Sequence, residues 1–160
     1  MMKTTQGKKG LLGKKGLLVL AATLLGGIAL TSTAEARDTV LMLPVEQAMK
    51  LPEAKTQLDS NIRFVFGNTP HGDVAEQHGN FVTNKKTNAF NKSDEEACRW
   101  VMLSALLSLQ DRVRTEGGNA VINIESFYDR EPMSSNDEYE CHAGMLMAGV
   151  ALRGDVVTLR

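Results

Sequence analysis

The 160-residue chain carries 18 Lys and Arg against 19 Asp and Glu, and 42% of its residues are hydrophobic. That length suits one domain of roughly 100–200 residues, and the apolar fraction excludes wholesale disorder, while no run reaches the ~20 apolar residues of a membrane span. Residues 1–36 hold Lys3, Lys8, Lys9, Lys14 and Lys15 against Glu35 alone, whereas residues 37–160 hold 13 basic and 18 acidic side chains, an acidic balance that argues against general nucleic-acid binding.

The first 36 residues read as three zones: a basic segment to Gly16, an uncharged apolar run of 14 residues from Leu17 to Leu30, and a short polar stretch ending in Ala34-Glu35-Ala36. This is the pattern of an export signal cleaved after Ala36. As a helix the apolar run spans about 21 Å, short of a ~30 Å hydrocarbon core, so a retained anchor is disfavoured. With no cysteine near the cleavage point, a lipoprotein anchor is not expected. The body, residues 37–160, is expected to be a soluble periplasmic domain.

Thr39 to Leu43 is a short apolar run stopped by Pro44, read as a first strand, and Val45 to Leu58 has loose helical spacing broken by Pro52. Ile62 to Phe66 alternates aromatic and β-branched residues and ends at Gly67-Asn68, a strand signal. Asp73 and Glu76 have capping-box spacing and Gly79 suits a helix end, which predicts one helical turn there. Phe81 to Phe90 is either extended or irregular. Ser93 with Glu96 opens the strongest helix; Asp94, Glu95 and Glu96 suit its positive end, and Gly117-Gly118 closes it. Its centre is apolar nearly all round, which predicts a buried helix.

Asn119 to Tyr128 alternates, with Ala120, Ile122 and Ile124 expected on one face and Asn123 and Glu125 on the other. A polar turn region follows, then Glu138 to Arg153 reads as one long strand. That strand would carry Tyr139, Cys141, Ala143, Met145 and Met147 on one face, and Glu138, Glu140, His142, Leu146 and Val150 on the other. Outside the cytoplasm Cys98 and Cys141 are expected to form a disulfide, closing a loop worth roughly 4 kcal/mol by chain entropy, the alternative being two free buried thiols. The bridge would set the helix over the first face. The expected fold is α+β, a small antiparallel sheet with one long buried helix packed on one face.

The blocks SDEEACRWVMLSALLSLQDR, GGNAVINIESFY and EYECHAGMLMAGVALRGD, together with FVTNKKTNAF, resemble a family of small exported proteobacterial proteins often named excinuclease ATPase subunits. The order helix, GxNAV strand, loop, AGxAL strand is also similar to the envelope-stress sensor lipoprotein of the Rcs phosphorelay and to small domains once labelled heavy-metal-binding. That sensor has a lipobox and two disulfides, while this chain lacks a lipobox and has cysteines for one, so the likeness concerns the fold. The resemblance implies an envelope location and no defined activity. The family's name finds no motif support: Gly67 to Gly72 has the glycine spacing of a phosphate loop, but Asp73-Val74 stand where Lys and a hydroxyl are needed, and there is no CxxC pair. Neither ATP nor any other cofactor is expected.

His71, Asp73, Glu76 and His78 are the densest metal-capable cluster, with His142 as a further ligand candidate for Zn²⁺ or Cu²⁺. The structural alternative is that Asp73 and Glu76 cap a helix. Cys141 and His142 are neighbours on a strand and face apart, which disfavours thiol catalysis. Ser134-Ser135 lacks the hydrolase elbow. Asn84, Lys85 and Lys86 could contact a phosphate or acidic glycan, or form a solvated loop. Met145 and Met147 could be copper ligands, but core filling is the simpler role. These readings favour a non-enzymatic module that binds an envelope protein or polymer. The alternatives are a metal-binding module and a hydrolase acting on an envelope polymer.

Overall fold

The computed structural model describes residues 37–160; the expected export signal lies outside the described residues. The chain forms strand β1 (Thr39–Pro44), helices α1 (Val45–Met49) and α2 (Pro52–Gln57), strands β2 (Arg63–Phe66) and β3 (Val74–Asn88), and helix α3 (Asp94–Glu116). Strands β4 (Ala120–Ser126), β5 (Glu138–Ala143) and β6 (Met147–Leu159) complete it, with a single 3₁₀ turn at Tyr128–Arg130. The architecture is α+β, a six-stranded sheet with one long helix packed against it. Among the described residues no helix is long and apolar enough to cross a membrane.

β6 is the spine of the sheet. One edge pairs antiparallel with β3 along nearly its whole length, from Asn88↔Met147 to Val74↔Leu159. The other edge is shared: β5 takes Ala148 and Gly149, and β4 takes Leu152 to Val157. From there β5 pairs with β1 and β4 with β2. The β2–β4 pairing is parallel, so the sheet is mixed and not wholly antiparallel. The parallel direction follows from the connection, because α3 carries the chain back along the sheet before β4 begins.

α3 starts where Ser93 Oγ accepts the Glu96 N–H at 3.1 Å and ends at Gly117, whose φ of +80° suits a residue without a side chain. Ala97, Cys98, Val101, Met102, Ala105, Leu106, Leu109 and Val113 are buried against Tyr139, Cys141, Ala143, Val150, Leu152 and Val156 of the sheet. Cys98 and Cys141 are bonded, and both are fully buried, so the disulfide fixes the helix to the sheet within this core. Buried Gln110 ties α3 to the α2–β2 connection, accepting the Asp59 N–H at 2.6 Å and donating to the Gln57 carbonyl at 3.1 Å.

Three sequence expectations are corrected. The segment around Asp73 to Gly79 is the start of β3 and not a helical turn, because pairing with β6 satisfies its backbone; the irregular spacing reflects register slips at Val74/Glu76 and Gln77/Gly79. Glu138 to Arg153 is two strands, since the chain reverses at Gly144–Leu146, where the Gly144 N–H bonds the Met147 carbonyl at 2.8 Å. The reversal changes the side-chain phase: Val150 lies in the core under α3, while Met145 and Met147 stand at an exposed hairpin tip and fill no core. In β4, Asn123 adopts φ +53° at a bulge between Ile122 and Glu125. Ile124 therefore joins the main core with Val121, while Ala120 and Ile122 form a small cluster with Val65, Val157 and Leu159 on the opposite face. Gly154 makes the bulge possible, because a Cβ there would stand 2.6 Å from Val121 Cγ1.

Candidate functional site

The face of the sheet away from α3 carries the chemistry. Alternation along β6 sends Gly149, Ala151, Arg153 and Asp155 to this side, and the β3 register sets Lys86, Asn84, Val82 and Asn80 beside them in turn. From the end of β4 the chain passes over the face, with the Phe127 N–H bonding the Ala151 carbonyl at 2.9 Å. The result is three depressions in order along β6. The first, about 220 Å³, includes Asp38, Lys86, Tyr128, His142 and Gly149. The second, about 440 Å³, is formed by Val82, Asn84, Phe127, Asp129, Arg130 and Ala151. The third, about 340 Å³, is bounded by Asn68, Asn80, Asn123, Glu125, Arg153 and Asp155, with Gly67 and Ser134 at its rim.

In the first depression His142 lies between two carboxylates. Nδ1–H donates to Asp38 at 2.9 Å and Nε2–H to Glu140 at 2.6 Å, and the ring stacks on Tyr128 with centroids 3.4 Å apart. Gly149 lies directly beneath the Tyr128 ring, a Cβ there standing 3.6 Å from Cε2. Burial of the imidazole favours its neutral form, but the hydrogen bonds and charges of Asp38 and Glu140 outweigh it and hold the pKa above the usual 6.5. The Tyr128 phenol is pushed up by burial and then by the charges of Asp38, Asp129 and Glu140. Arg37, next to Asp38, pairs with Asp94 at the start of α3.

In the third depression the polar groups are already matched. Asp155 accepts amide N–H bonds from Asn80 and Asn123, both at 2.8 Å. Arg153 donates Nε–H to Glu125 Oε1 at 2.8 Å, its Nη2 reaches the same carboxylate, and its guanidinium lies 4.1 Å from the Phe127 ring centroid. The Asn123 bulge brings that amide to the open face beside Asp155, a use to which strand irregularities are often put.

The residues singled out from sequence distribute as follows. His71 Nδ1–H donates to the Gly72 carbonyl at 2.8 Å, and His78 shares a hydrogen bond with Thr158 Oγ1 at 2.8 Å. His142 sits in the first depression, so His71, Asp73, His78 and His142 are not gathered into one ligand set. Among the described residues no group of three or more His, Cys, Asp or Glu side chains is arranged to hold a metal ion. Asn84 and Lys86 line the open face in adjacent depressions, whereas Lys85 alternates to the helix side with Thr83. Ser134 lies at the rim of the third depression, and Ser135 caps the turn before β5 through the Glu138 N–H.

Sequence reasoning missed the third depression because its residues come from β3, β4, β6 and the turn after β2. The available signals were small ones: Gly67-Asn68, Gly79-Asn80 and the alternating Arg153 and Asp155 around Gly154. No family model matches the chain, and no curated protein matches it.

Proposed function

We propose that this chain is an exported, non-enzymatic binding module of the cell envelope, working in the periplasm after cleavage following Ala36. It belongs, on this reading, with the small exported proteobacterial proteins that its sequence resembles. The observation that carries the proposal is the fully buried disulfide between Cys98 and Cys141, a bond that persists in oxidising compartments and is rare in the cytosol. The open face supports a binding role, because its first and third depressions are lined by polar groups held in mutual contacts. His142, the histidine of that face, has both ring nitrogens on carboxylates, which leaves neither to act as a base toward a ligand. The occupant is an envelope protein or polymer, and neither ATP nor nucleic acid.

Fractionation of cells expressing the C-terminally tagged chain tests this directly. The expected result is a periplasmic species beginning at Arg37, whose two cysteines resist alkylation until reduced, and which crosslinks to an envelope component. A full-length cytosolic species with both thiols alkylated in the folded state overturns it.

A further inference from the structure

We infer that the third depression is a sugar site, taking an uncharged, hydroxyl-rich ring of an envelope polymer; this deepens the proposed function and rests on it. The argument begins with charge. The cleft holds one cation, Arg153, and two carboxylates, Glu125 and Asp155, and none of the three is free. Arg153 is committed to Glu125, and Asp155 is dressed by two amide N–H groups. An anionic ligand would meet the two carboxylates before an unpaired cation. A divalent cation would find one carboxylate neutralised by a guanidinium and the other already solvated by amides. An apolar ligand would strip water from Asn68, Asn80, Asn123, Glu125, Arg153 and Asp155 without replacing their hydrogen bonds.

A neutral polyol fits what remains. Each sugar hydroxyl both donates and accepts, and each asparagine amide offers the matching pair of groups. Because Asn80 and Asn123 direct an N–H to Asp155, their carbonyl oxygens are the acceptors left for a ligand. Nη1 of Arg153 and the Ser134 hydroxyl supply donors. Asn80, Asn123 and Arg153 are oriented before any ligand arrives, which lowers the ordering cost of binding. The volume of about 340 Å³ is that of a small-ligand pocket. A polymer is favoured over a free monosaccharide because the depression is followed along β6 by two more, all facing the same side.

The test is a ¹H–¹⁵N NMR titration of the purified protein with two neutral probes, tetra-N-acetylchitotetraose and maltotetraose, and one anionic probe, oligogalacturonate. Expected are shifts localised to the Asn80 and Asn123 side-chain amides and residues 153–155 with a neutral probe, saturating with a dissociation constant of about 0.1–1 mM. Asn123→Gly, which tolerates the left-handed backbone and deletes the side chain with its amide, should weaken binding about tenfold or more, as should Asn80→Ala on exposed β3. If Asn123→Gly fails to fold, Asn80→Ala decides the matter. Absence of localised shifts with either neutral probe at about 10 mM, stronger binding of the anionic probe, or unchanged affinity in the folded variants overturns the inference. Failure here with a periplasmic, crosslinked protein removes only the sugar site. Sugar binding by a chain found reduced in the cytosol supports the cleft and removes the envelope reading.

Discussion

The two faces of the sheet are built by opposite rules. Under α3 the contacts are apolar and covalent, with Cys98–Cys141 set among Leu, Val, Met and Ala side chains. On the other face, beside the small apolar cluster around Ile122, amides, a guanidinium and an imidazole are paired with carboxylates in the first and third depressions. Burial of the first face supplies the dominant driving force for folding. The second contributes little per ion pair where water reaches it, and the proposed binding role gives its ordered polar contacts a use. Shape on the open side is thus supported by rigidity on the other.

The largest effect that would sharpen this contrast is loss of the disulfide. Cys98→Ala with Cys141→Ala should lower stability by about 2–4 kcal/mol in urea unfolding while leaving the side-chain amide resonances of Asn80 and Asn123 in place at low denaturant. Gly154→Ala attacks the boundary between the faces, since the added methyl meets Val121 and Ile124 behind the bulge. It should cost about 1–3 kcal/mol and displace the Asn123 amide resonance. A smaller, pH-dependent effect is expected at His142. Its folded-state pKa lies above the unfolded value near 6.5, so the stabilisation is complete below that value and is lost as pH rises through the folded pKa. His142→Gln should abolish this step in chemical-denaturation midpoints measured from acid to mildly alkaline pH. Smallest is Tyr139→Phe: the buried hydroxyl has no hydrogen-bond partner, and burial pushes its pKa up. Removing it should be neutral or stabilising by up to about 1 kcal/mol, read as a rise in the thermal midpoint.

The helix-covered face was legible from sequence, and the open face was only partly so. Ser93, Glu96 and Gly117 mark α3 because capping acts through residues three or four apart. The disulfide followed from counting two cysteines behind an export pattern. Long-range pairing left weaker traces. The first residues of β3 resemble a helix cap locally, yet β6, some 80 residues later, provides their hydrogen bonds. The Gly144–Leu146 turn is hidden by the apolar Met145 and Leu146, which are 73% and 61% exposed. Alternation in β4 misassigned Ile122 because one left-handed asparagine shifts the phase, and nothing adjacent in sequence announces that.

The position of β6 has a consequence for biosynthesis. The strand that joins β3, β4 and β5 is also the last described element to emerge from the ribosome, so β3 has no partner, and the β1–β5 and β2–β4 pairs stay unjoined, until residues 147–159 are available. A nascent chain arrested before Met147 should stay open and protease-sensitive, with its two thiols unpaired. Were the chain exported as proposed, such late closure would keep it open for threading through a narrow channel, because the full sheet cannot assemble before β6 arrives.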